Sequence, residues 1–199
     1  QGLYKTTWFN FLLPPELRCY FYTKTNSDRL NKDDLFSLTE FALICFEELD
    51  GMRPAELNQL KAMVTMPYVN ERAAYGRNKE RHPHIASFCG TGNNVQFLTD
   101  PTGNRRWLPF EVSQIRDPHL HAIPYELVYS QAYALWKSGF CHWFSQEEIR
   151  KLNMHNSRFE VPNLEEDLIR THFRKPFEGE AGIFVTAADI LEQISSCLR

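Results

Sequence analysis

Lys5-Thr6, Glu47-Glu48 and Asn93 are the residues whose types and order can do chemistry on a phosphate. A phosphate-binding loop reads GxxxxGK[ST] between a strand and a helix, and Lys5-Thr6 is the ending of that pattern. In this role the Lys5 ammonium reaches the β- and γ-phosphates, and the Thr6 hydroxyl sits on Mg²⁺. The residue before the Lys is Tyr4, where the pattern has a Gly and the backbone favours one. Lys and Thr would equally fit the first turn of an ordinary helix.

Phe41–Asp50 reads FALICFEELD. Six apolar or small residues followed by Glu47 and Glu48 predict a strand buried on both faces, with its acids at the C-terminal edge of a parallel sheet. Open α/β sheets bind their ligands at that edge. A Walker B element has this layout: one acid holds Mg²⁺ through water and the next activates the attacking water. The plainer alternative is a buried strand that meets solvent at a turn. A second apolar run, Ile85–Cys89, ends in Gly90-Thr91-Gly92-Asn93-Asn94. An amide at such a strand tip can orient a water, though Gly and Asn also make ordinary turns.

Two cationic stretches follow the same logic. Asn70–Arg81 (NERAAYGRNKER) holds Arg72, Arg77, Lys79 and Arg81 around Tyr75-Gly76, against Glu71 and Glu80. A hairpin with cations and an aromatic suits contact with a nucleic-acid backbone; a solvated charged loop would read alike. Asp100–Trp107 (DPTGNRRW) precedes an extended LPFEV. Its turn can hold Arg105 or Arg106 as an arginine finger across a subunit interface. The alternative is an Arg packed on Trp107 or paired with Asp100. His82, His84, His119 and His121 form two HxH pairs, whose spacing fits surface loops better than a zinc site.

The elements that must position these residues are legible in outline. Trp8, Phe9, Leu12 and Leu13 give a helical face that Pro14-Pro15 stops. Cys19–Thr25 predicts a strand, and Asn31–Asp34 the opening of a short helix capped by Asp33 or Asp34. Asp50-Gly51 marks a turn, and Pro54 opens a helix over Ala55–Met63. Beyond Ser113 the pattern is helical. Tyr125, Val128, Tyr129, Ala132, Leu135 and Trp136 follow the 3.6 period and predict core packing, with Gly139 ending that helix. Ser145/Glu148, Asn163/Glu166 and Thr186/Asp189 predict three further helix starts, and Phe177–Gly182 predicts a linker.

The chain has 199 residues, 43% hydrophobic and 24% charged, with a net charge of −3. That composition is globular and argues against a general polyanion-binding surface without excluding a local basic patch. No run approaches the roughly 20 apolar residues of a membrane helix, and no signal peptide is visible. The five cysteines are scattered among apolar neighbours. They predict reduced core thiols and a cytoplasmic protein. The opening QGLYKTT, without an initiator Met, predicts a fragment whose upstream strand belongs to the fold.

In order, the motifs resemble an AAA+-like helicase of superfamily 3 type, and more closely the virulence-associated protein E (VirE) family of predicted P-loop ATPases found with primases on bacterial mobile elements. QGLYKTT, FEELDG, LKAMVT, RAAYGR, GTGNN and DPTGNRRWLPFEV carry the resemblance, over Gln1 to about Val112. It implies an α/β P-loop NTPase core with a parallel sheet over 1–112, truncated before its first strand. A helical region would cover 113–176, and 177–199 would begin a small helical or winged-helix unit. It further implies ATP bound at Gly2, Lys5, Thr6 and Thr7, Mg²⁺ at Thr6 and Glu47, and Glu48 as general base. Asn93 becomes the sensor, Arg105 or Arg106 the finger, and Arg72, Tyr75, Arg77 and Lys79 a DNA-contacting hairpin. The implied partners are single-stranded DNA in a ring channel, further copies in a hexamer, and a primase domain in the same or a partner chain. Tyr4 in place of Gly and Glu47 in place of Asp depart from the family pattern. Two other readings remain: a catalytically inactive DNA-binding or assembly module of the same fold, and a small-molecule phosphoryl or nucleotidyl transferase.

Overall fold

The buried run Leu43–Phe46 forms β2, the central strand of a three-stranded parallel sheet ordered β1-β2-β5. Its neighbours are β1 (Phe21–Lys24) and β5 (Ser87–Gly90), registered Lys24↔Phe46 and Phe46↔Gly90 at the C-terminal edge. The structure, a computed structural model, describes residues 4–25, 31–72, 77–99 and 104–197. Ile44, Cys45 and Phe46 are all buried, as a strand covered on both faces requires. The core around β2 takes Leu38 from α2 (Lys32–Glu40) and Leu60 and Met63 from α3 (Pro54–Thr65), with Leu49 and Val69.

α1 spans Lys5–Asn10, and Pro15–Tyr20 form a 3-10 turn leading into β1. The strand expected over Cys19–Thr25 is therefore shorter. α2 is capped by neither predicted acid: Asn31 is the cap. Its Oδ1 accepts from the Asp33 and Asp34 amides at 2.7 and 3.2 Å. Asp34 completes the capping box by accepting from the Asn31 amide at 2.6 Å. Asn satisfies orphan amides as well as Asp and adds no charge. That leaves the Asp34 carboxylate to pair with Lys24, the last residue of β1, at 2.8 Å with both side chains 6% exposed. Asp34→Ala removes one member of a buried pair and a helix cap together. It should destabilise the fold by about 3 kcal/mol, read as a lower denaturation midpoint with an unchanged m-value.

Tyr68–Glu71 (β3) and Glu80–Pro83 (β4) form the predicted antiparallel hairpin. Beyond it come α4 (Tyr125–Lys137) and α5 (Gln146–Asn156). α5 starts with the expected Ser145/Glu148 box: Ser145 Oγ accepts from the Glu148 amide at 3.3 Å and Glu148 accepts from the Ser145 amide at 2.8 Å. The chain divides into two compact units, 1–160 and 161–199. The second holds α6 (Leu164–His172), capped by Asn163 Oδ1, and α7 (Ala187–Cys197), whose Thr186/Asp189 pair forms a reciprocal box.

Two further expectations are corrected. The stripe on α4 is not core: none of its residues is buried, and Leu127 and Trp136 are 72% and 73% exposed. The helix is tied by polar contacts instead, with Tyr125 Oη donating to the Phe11 carbonyl at 2.6 Å and Tyr129 Oη to that of Leu12 at 2.9 Å. Cys19, Cys45, Cys89 and Cys141 are free, but they are not all core thiols: Cys19 and Cys141 are exposed, Cys45 is buried and Cys89 half-buried. Cys45 and Cys89 are cross-strand partners. The hydrogen bond to Cys45, and then burial, push the Cys89 thiol up.

Candidate phosphate-binding site at the sheet edge

Parallel strands end on one edge, so β2 and β5 deliver their following residues side by side. The ladder continues past the strands: the Glu47 amide donates to the Lys24 carbonyl at 2.8 Å and the Thr91 amide to that of Phe46 at 2.9 Å. Glu47 and the Thr91–Asn94 loop are thereby fixed to the same edge.

α1 docks its first turn there. Thr6 Oγ1 donates to Glu47 Oε1 at 2.8 Å. Lys5 Nζ donates to the Gly92 carbonyl and, at 3.1 Å, to Asn93 Oδ1. Residues separated by 41 and 88 positions thus form one constellation of an ammonium, a hydroxyl, a carboxylate and an amide. Tyr4, just before α1, is in the left-handed region at φ 52°. The position has the conformation that glycine favours, and a tyrosine adopts it. Glu48 is the second non-glycine residue in this region among those described, at φ 54°, and its side chain is exposed. Sparsely populated backbone of this kind costs on the order of 1 kcal/mol and gathers at functional sites.

The turn that follows, Leu49–Gly51, locks the two strand ends together. The Leu49 amide donates to the Thr91 carbonyl at 2.9 Å. The Asp50 carboxylate accepts from the Asn93 amide at 3.2 Å and the Asn94 amide at 3.0 Å. In the sequence Asp50-Gly51 carries only a turn signal; its long-range role has no local signature.

The remaining predicted site residues lie on other elements. Thr7 is half-buried within α1. Arg105 and Arg106 are exposed on the 3-10 turn Asn104–Arg106. That turn rests on a buried polar node, in which Asn156 Nδ2 donates to the carbonyls of Asn104 at 2.8 Å and Trp107 at 3.0 Å. Asn104 Nδ2 in turn donates to Glu160 Oε1 at 2.7 Å. Neither Asn104 nor Asn156 was legible as part of a site, because buried amides carry no sequence pattern. Arg72, Arg77 and Lys79 are exposed at the hairpin. Arg81 lies 3.6 Å over the Tyr68 ring. A hydrogen bond from Lys32 holds the Glu71 carboxyl below its ordinary range. Gly2, Tyr75 and the Asp100–Gly103 turn lie outside the described residues.

The structure defines the class at this level: a mixed α/β protein with a three-stranded parallel sheet whose C-terminal edge gathers these polar groups. The chain belongs to the virulence-associated protein E-like domain family, whose model matches residues 1–161. No curated protein matches it.

Proposed function

We propose that this domain is a Mg²⁺-dependent ATPase of P-loop type that acts on DNA, as the motor or loader module of a mobile-element replication protein. The observation that carries the reading is the Thr6–Glu47 hydrogen bond of 2.8 Å, made beside the Lys5–Asn93 contact. Four residues of the kinds that handle a nucleotide triphosphate converge on one sheet edge in the order the motifs require.

The donor set fits the implied metal. A hydroxyl and a carboxylate are hard oxygen ligands, of the kind that hold Mg²⁺ together with substrate phosphates. Thr6 and Glu47 would hold the ion, which would supply positive charge against the phosphate. Lys5 clamps the phosphates. Glu48 accepts the proton of the attacking water, Asn93 orients that water, and Arg105 or Arg106 completes a neighbour's site.

The test is ATP hydrolysis by the protein with and without single-stranded DNA. DNA-stimulated turnover is the expected result; absence of ATP binding would overturn the reading. The hairpin assignment has its own measurement. Asn70–Arg81 carries four cations against two carboxylates. Arg77→Ala with Lys79→Ala should weaken single-stranded DNA binding and lower its salt slope by about one to two. An unchanged slope would move the DNA contact elsewhere.

A second reading, an inactive module of the same fold, is favoured by Tyr4 standing at φ 52° where the pattern has Gly. It expects DNA binding without turnover, and a gain of nucleotide affinity in Tyr4→Gly.

A further inference from the structure

We infer that Asp50 is a positioning residue that sets the Asn93 amide against the Glu48 carboxylate; the inference rests on the ATPase reading. The Asp50 side chain is hydrogen-bonded to the Asn93 and Asn94 backbone and not to Lys5. It acts on backbone. Its two carboxylate oxygens take the amides of Asn93 and Asn94, at 3.2 and 3.0 Å, and hydrogen bonds to a carboxylate are among the stronger kinds. The loop that carries Asn93 is thereby fixed to the turn that begins one residue after Glu48.

The packing shows how closely the two loops are fitted. A Cβ added at Gly92 would lie 2.9 Å from Asp50 Oδ1, and one added at Gly90 would meet the Leu49 side chain. The Leu49 amide bonds the Thr91 carbonyl at 2.9 Å between these two approaches. Asp50 and Gly92 are therefore closely fitted, since a Cβ at Gly92 would press on the same carboxylate oxygen that takes the Asn93 amide. Glu48 and Asn93 must share one water if the first removes its proton while the second orients it. Their separation is set by this clamp, and an error of about 1 Å in such a placement can cost about 100-fold in rate.

The experiment compares Asp50→Ala, Asp50→Asn, Gly92→Ala and the Asp50→Ala/Gly92→Ala double variant in the full chain. Asp50→Ala and Gly92→Ala should each lower kcat by about 10- to 100-fold while the dissociation constant for ATP stays within about twofold. Asp50→Asn keeps one acceptor oxygen and should fall between wild type and Asp50→Ala. The double variant should be no slower than the worse single one, because the carboxylate that Gly92→Ala displaces is already gone. Independently of turnover, the Asn93 and Asn94 amide resonances should move upfield in Asp50→Ala and Gly92→Ala as they lose the carboxylate.

Moved resonances with kcat unchanged would leave a purely structural clamp and overturn the positioning role. Unmoved resonances would overturn the clamp itself. A loss of ATP affinity equal to the loss of kcat/KM would also overturn it, as general damage to the site. Absence of turnover in wild type would remove the ATPase reading and this inference with it, whatever the resonances do.

Discussion

Glu48→Gln should lower ATP turnover by about 100- to 10,000-fold, the range a positioned general base contributes, while ATP remains bound. The substitution keeps the shape of the side chain and removes only its basicity. Glu48 is exposed and left-handed at φ 54°, and Gln meets that backbone with the same Cβ and the same strain, so the loop need not move. The groups that would hold nucleotide are Lys5, bonded to Asn93, and Thr6 and Glu47, bonded to each other, and none of these contacts involves Glu48. Affinity and chemistry should therefore separate. Single-turnover hydrolysis beside equilibrium ATP binding is the measurement. Turnover within about tenfold of wild type would remove Glu48 from the role. Glu47→Gln makes the contrasting case. Its carboxylate accepts from Thr6 Oγ1, so the loss should appear in Mg²⁺-dependent nucleotide affinity as well as in rate.

The sheet was legible where the chemistry of burial left one solution. Phe41–Phe46 is too short for a helix and too apolar for a surface, and Leu43–Phe46 is the central strand. Ile85–Cys89 only overlaps β5, Ser87–Gly90: Ile85 precedes the strand and is 58% exposed. Glu47 and Asn93 share one edge because parallel strands must end there, and Lys5 and Thr6 reach it on the first turn of α1. The failures have physical causes too. On α4 the 3.6-residue period marks an apolar face but says nothing of what covers it, and Leu127 and Trp136 lie in solvent. The α2 cap is Asn31 rather than an acid because the helix begins at Lys32, which places Asp34 at its third position, where it accepts from the Asn31 amide and pairs with Lys24. Cys19 and Cys141 sit among apolar neighbours in sequence yet are exposed, since sequence neighbours on a 3-10 turn or a loop share no buried face. Asp50 escaped for a related reason: its partners lie 43 and 44 residues away, and only the folded sheet edge brings them within reach.

Of Arg105→Ala and Arg106→Ala, one should lower kcat by about 1,000- to 100,000-fold, as loss of an arginine finger does, and the other by far less. Both guanidinium groups are exposed, yet their backbone is not loose. The turn is seated on Asn104, 2% exposed, whose carbonyl takes one hydrogen bond from Asn156, 0% exposed. A rigid seat with outward-pointing cations suits a group that reaches another molecule, since the entropy of fixing the backbone has already been spent in folding. None of the described cation–π contacts falls on either arginine. If the finger works across a head-to-tail interface, the affected variant and Glu48→Gln are each inactive for different reasons, and mixing them repairs some interfaces. In an equal, random mixture half the sites keep Glu48 and half of their neighbours keep the arginine. About one quarter of the sites in a closed head-to-tail ring should then turn over. Recovery on mixing, measured where sedimentation shows assembly, would place the finger in the neighbouring subunit. Assembly without recovery would place it in the same chain as the glutamate it serves.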